Sequence, residues 1–135
     1  MIIALLFVDK SSLVPPTSIS ILPTNNSIKD NETFTLTEDK METVTCLTRH
    51  SNPPPTISWI LGETTLQASN QTNILEEESN KWTSNATLEH IFQKADLGKK
   101  LTCVVKHMAY PTGQETMHTI LDILCGYKAY YHYSQ

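Results

Sequence analysis

An all-β fold, with short strands packed as a sandwich or barrel, is what this sequence predicts, and three observations carry it. Apolar and β-branched residues recur with a period of two rather than 3.6 over most of the chain. Clusters of Asn, Pro, Gly and Ser separate these runs at strand-length intervals. The best helix candidate, residues 74–80, carries three consecutive glutamates and has no apolar face. A length of 135 residues fits one domain and is too short for two ordinary ones.

Each element follows in chain order. Residues 1–8 are an apolar run that stops at Asp9-Lys10. A secretory signal adds a basic start and a small-residue cleavage site, and both are missing here, so residues 1–14 are set apart as an apolar leader or fragment edge. Residues 18–22 alternate until Pro23, and residues 33–37 (Thr-Phe-Thr-Leu-Thr) are β-branched or aromatic almost throughout. Strand-like runs continue at 43–48, 56–61, 86–92, 101–108 and 116–124, about seven in all. The stretch of about 24 residues between Leu61 and Asn85 leaves room for one or two short strands more. The folded domain is therefore expected over 15–124. In 125–135, Tyr127, Tyr130, Tyr131 and Tyr133 crowd together without alternation, which reads as a tail the domain does not need.

Composition narrows the chemistry. A net charge of −4 with Arg49 as the only arginine argues against nucleic acid as partner. No apolar run approaches the roughly 18 residues of a membrane-spanning helix. His50, His90, His107, His118 and His132 are scattered without metal-ligand spacing, so no metal is expected. Phosphate-cradling glycine motifs and a Gly-x-Ser-x-Gly elbow are absent, and neither catalysis nor a cofactor is expected. Glu76-Glu77-Glu78 reads as a solvated loop. Cys125, the odd cysteine, is left to an intermolecular bridge, a free thiol or an aberrant end.

Two cysteines and a tryptophan say which sandwich. Cys46 and Cys103 each sit mid-strand among inward-facing neighbours, and Trp59 follows Cys46 by thirteen residues in the next strand. An inter-sheet disulfide covered by an indole needs this order of residues. Asp96 and Gly98 stand just before Cys103, where a tight corner feeds the penultimate strand. On these residues the chain resembles an immunoglobulin-like domain over about 15–124. The resemblance implies a two-sheet antiparallel Greek-key sandwich, a Cys46–Cys103 bridge, and Trp59, Asp96, Gly98 and Leu101 as core and corner residues. The family's usual tyrosine two residues before the second cysteine is replaced by Leu101, so packing must stand in for its hydroxyl. Arg49, on the wrong strand to pair with Asp96, and the short middle stretch resemble the C2-type arrangement rather than the variable type. Asn52-Pro53-Pro54-Pro55, between the two core strands, is similar to the membrane-proximal domains of nectins, nectin-like molecules and poliovirus-receptor-type adhesion proteins.

The resemblance and the Asn-x-Ser/Thr motifs point outside the cell. Asn25, Asn31, Asn70 and Asn85 are acceptor sites for N-glycosylation, where about two would arise by chance. A structural disulfide requires an oxidising compartment. The expected function is an extracellular binding module of a cell-surface receptor, tethered through a segment outside this chain. Its partner would be another cell-surface protein, bound homophilically or heterophilically in adhesion or immune-type recognition. A secreted single-domain ligand or decoy is the alternative. Asn25, Asn31 and Asn85 border strands expected in one sheet, which leaves the other sheet barer. That face, with Tyr110 and Pro111 in the turn before the last strand, is the expected contact region.

Overall fold

A computed structural model describes residues 13–22 and 33–124. The leader expected at 1–14 falls almost wholly outside these residues, as do the 125–135 tail, Cys125, Asn25 and Asn31. Among the described residues nine strands form two sheets: β1 (Ser18–Leu22), β2 (Thr33–Thr37), β3 (Met41–Ser51), β4 (Thr56–Leu61), β5 (Thr64–Leu66), β6 (Asn70–Glu76), β7 (Lys81–Ile91), β8 (Lys100–Lys106) and β9 (Gln114–Leu124). A four-stranded sheet runs β1-β3-β7-β6 and a five-stranded sheet runs β2-β9-β8-β4-β5. Two short strands, β5 and β6, fill the stretch between Leu61 and Asn85. Val14 adds an isolated antiparallel bridge to Asn52, two hydrogen bonds of 2.9 Å that extend the fold into the stretch set apart as leader.

One expectation about sheet membership is overturned. The expectation puts residues 33–37 in one sheet with the first strand and with 86–92, but β2 lies in the other sheet, parallel to β9, with Thr33 opposite Ile120 and Thr37 opposite Leu124. The parallel register keeps Phe34 and Leu36 inward against Leu121 and Ile123, so the same alternation buries its apolar side in either sheet. Period two reports which side chains face the core; it is silent on which neighbour the strand takes. The glutamate-containing stretch 74–80 is likewise the end of β6 and a turn, with Ile74 and Leu75 exposed at a sheet edge.

The core lies between the two sheets and repeats the inward positions of every long strand. Val44 and Cys46 of β3, Ala86 and Leu88 of β7, Ile57, Trp59 and Leu61 of β4, and Leu101, Cys103 and Val105 of β8 are all buried. The disulfide Cys46–Cys103 joins β3 to β8 across the sandwich, with Cα atoms 6.3 Å apart and 57 residues of separation. Closing a loop of that length stabilises the fold by about 4 kcal/mol in the chain-entropy account. Trp59 is fully buried as the cross-strand neighbour of Cys103, so the largest side chain of the core lies beside the bridge.

The corner before β8 is held by charge and backbone. A 3₁₀ turn at Lys94–Asp96 leads into Gly98, whose φ of 83° lies in the left-handed region that favours glycine. Gly98 N–H donates to Leu121 O (2.8 Å) and Leu121 N–H to Lys99 O (2.9 Å), docking the corner on β9. Asp96, nearly buried, accepts from Gln93 N–H (2.8 Å) and from Lys99 Nζ (3.0 Å). Burial opposes its charge, but the Gln93 N–H, the Lys99 ammonium and the positive field of His90 outweigh that, and its pKa falls below the ordinary value. Leu101 is fully buried where a tyrosine is usual. Packing of Leu101 thus stands where the family's tyrosine hydroxyl would otherwise bond.

Candidate functional site

Strand parity decides what each face shows. On the five-stranded sheet the inward positions are core, which leaves Ser58 and Ile60 of β4, Thr102 and Val104 of β8, and Thr116 and His118 of β9 on the outer side. Ser58, Val104 and Thr116 lie in one cross-strand row, and Ile60, Thr102 and His118 in the next. The centre of this face carries no carboxylate, ammonium or guanidinium. Lys106, Lys100 and Asp122 stand beyond it at either end. Val104 is only 4% exposed although it points outward, so its neighbours already close over it.

The turn between β8 and β9 sits at one end of this face, and its side chains are more ordered than the sequence suggests. Tyr110 is half-buried, packed against the core and edge-on to His107, with ring centroids 6.1 Å apart. Burial, helped by the Glu115 carboxylate, pushes its phenol up to about 12. Pro111 next to it is exposed. His107, read from sequence only as a non-ligand, anchors the turn. Ala109 N–H donates to its Nδ1 (3.0 Å), so its Nε2 carries the proton and donates to Pro53 O (2.9 Å). One buried imidazole thereby ties the proline-rich connection to the Tyr110 turn.

Sequence reasoning also missed Gln71. Its Oε1 accepts from Ile57 N–H (3.1 Å) and its Nε2 donates to Pro55 O (2.8 Å), stitching the edge of the four-stranded sheet to β4 of the other. Hydrogen bonds of this kind leave no periodic trace; the signal available was a glutamine at an inward position of a strand.

The four-stranded sheet presents a different outer face. Asn70 and Asn85 both lie on it, with Asn70 exposed and Asn85 half-buried. Asn31, like Asn25, lies outside the described residues. Among the described residues no group of three or more His, Cys, Asp or Glu side chains is placed to hold a metal. No helix among them is long and apolar enough to cross a membrane.

Two sheets joined by a β3–β8 disulfide beside a buried tryptophan, with the Asp96–Gly98 corner, make the fold decisive, and residues 26–112 match the family described as the CD80-like C2-set immunoglobulin domain. The chain belongs to that family. No curated protein sequence matches it. This C2-set domain is similar in structure to Rst D1–D2, with a TM-score of 0.70 and 19% identity over 83% of this chain and 51% of that one. It is also similar to the mouse nectin-like molecule 4 full ectodomain Ig1–Ig3, with a TM-score of 0.65 and 18% identity over 82% of this chain and 35% of that one. The IgNAR antibody domain C1 shares the fold at a TM-score of 0.55 and 18% identity, over 78% and 92% of the two chains. This chain thus spans about half of the first of these structures and about a third of the second. At such identities the likeness establishes the immunoglobulin fold, shared by a nectin-like ectodomain and an antibody domain alike.

Proposed function

We propose that this C2-set domain is an extracellular protein-binding module of adhesion or immune-type recognition, without catalysis. It meets its partner through the outer face of the five-stranded sheet and the adjoining turn at Tyr110 and Pro111. The observation that carries this reading is the asymmetry of the two faces. The outward centres of both sheets lack carboxylates, ammoniums and guanidiniums, but Asn70 and Asn85 stand on the four-stranded face, whereas the five-stranded face has, among the described residues, no acceptor asparagine. Depletion of charge at the centre with a polar rim is the pattern of a protein–protein contact. Tyr110 is held by His107 and the core, so little side-chain freedom is lost when it is covered.

The partner class is another cell-surface protein, a second copy of this domain included. The test is binding of the oxidised chain, made multivalent, to an array of cell-surface ectodomains that includes itself. The expected result is saturable binding to at least one of them, weakened at least tenfold by Tyr110→Ala. Binding that Tyr110→Ala leaves unchanged removes the turn from the contact, and no binding across the array contradicts the module reading.

A further inference from the structure

The register of β6 on β7 sets the two described acceptor motifs against each other. Asn70 lies opposite Thr87, and Thr72 lies opposite Asn85. Each acceptor asparagine therefore stands beside the threonine that completes the other's motif. Ala86 and Ser84 are buried on the inner side, so parity places all four motif residues on the outer face. Diagonal neighbours in an antiparallel pair are about 7–8 Å apart. Neither asparagine side chain makes a hydrogen bond to another described residue. Leu47 lies directly opposite Asn85, Leu22 is one row further on the same face, and Ile74 stands 54% exposed on β6. Exposed or half-exposed apolar side chains thus flank the paired asparagines on both sides, Leu22 and Leu47 on β1 and β3 and Ile74 on β6, with β7 between them.

We propose that Asn70 and Asn85 both carry N-linked glycans, which lie as one carbohydrate layer over the outer face of the four-stranded sheet and shield Leu22, Leu47 and Ile74. The proposal rests on the extracellular reading above. In the transfer, Asn Nδ2 bonds to the anomeric carbon of an oligosaccharide carried on a lipid pyrophosphate. The bond from that carbon to the phosphate oxygen breaks, the lipid pyrophosphate leaves with the electron pair, and the nitrogen gives up a proton. Both motifs are extended and paired to each other in the folded ladder, where the backbone is already engaged. Transfer therefore precedes the pairing of β6 with β7. The two modifications are made on an open chain and brought together by folding.

The experiment directs the full chain to the secretory pathway of mammalian cells and reads glycopeptides and intact mass before and after enzymatic glycan release. The expected product is secreted and oxidised, with both Asn70 and Asn85 occupied, and Asn70→Gln and Asn85→Gln each lose one oligosaccharide. Hydroxyl-radical labelling of Leu47 rises at least threefold when both are replaced. In a microsomal transferase assay, the reduced, unfolded chain is modified at these sites at least tenfold faster than the folded, oxidised chain. A secreted, disulfide-bonded chain with either asparagine unmodified overturns the proposal while leaving the extracellular reading intact. Equal modification of folded and unfolded chains overturns the order of events. Retention of a reduced chain inside the cell overturns the extracellular reading itself, and the proposal with it.

Discussion

Replacing Asp96 by alanine removes the carboxylate that holds the corner before β8, and the structure sets the size of the effect. Oδ2 accepts from Gln93 N–H at 2.8 Å, and a hydrogen bond to a charged group contributes about 1.5–3 kcal/mol. Oδ1 meets Lys99 Nζ at 3.0 Å, but the lysine side chain is 44% exposed, so solvent screening holds that pair to at most about 1 kcal/mol. Asp96→Ala should therefore destabilise the domain by about 2–4 kcal/mol at pH 7, and Lys99→Met by at most about 1 kcal/mol. Asp96→Asn keeps an acceptor for Gln93 and should fall between them. The pH dependence has a fixed sign. The folded pKa of Asp96 lies below its unfolded value, so this stabilisation is fully present above the unfolded pKa, about 4. It is lost as pH falls through the folded pKa. Urea unfolding followed by tryptophan fluorescence at pH 7 and at about pH 2 measures both quantities. A wild-type midpoint for Asp96→Ala at pH 7, or the same deficit at both pH values, refutes this account of the corner. A Lys99→Met deficit as large as that of Asp96→Ala refutes the division between the two contacts.

Three further outcomes are expected. Reducing Cys46–Cys103, or replacing both cysteines by alanine, should cost about 4 kcal/mol, read as a lowered urea midpoint against the oxidised protein. His107→Ala leaves Pro53 O and Ala109 N–H without their partner and should cost about 1–3 kcal/mol, with faster amide exchange at Ala109 by NMR. Tyr110 titrates near 12 in the folded state against about 10 unfolded, so its contribution is complete below pH 10 and lost as pH rises toward 12. Alkaline titration at 295 nm should show a late phenol in the wild type that Tyr110→Phe removes.

Much of the fold was legible because the chain marks its inner side plainly. Cys46, Trp59 and Cys103 stand in runs where every second residue is apolar, and those residues proved buried. The neighbour of β2 was not legible. Thr33 pairs with Ile120 across 87 residues, and a five-residue run with one apolar side fits an edge of either sheet. Gln71 and His107 escaped for a different reason, since single polar side chains that join the sheets or pin the loops contribute to no pattern. The opposition of Asn70 and Asn85 was closer to hand. The two motifs lie at equal distances from the turn at 77–80, and reading 74–76 as the end of a strand rather than a candidate helix would have aligned them.

The claim at the centre of this account is that one face binds and the other is covered, and one arginine placed on each face tests it most directly. Ile60→Arg puts a charge at the centre of the five-stranded face, and Ile74→Arg puts one on the four-stranded face. Both side chains point away from the core, so circular dichroism and oxidation state should match the wild type. With the ectodomain that the domain captures, Ile60→Arg should weaken Kd at least tenfold and Ile74→Arg should leave it within twofold. The reverse order, or equal loss in both, contradicts the assignment of the binding face.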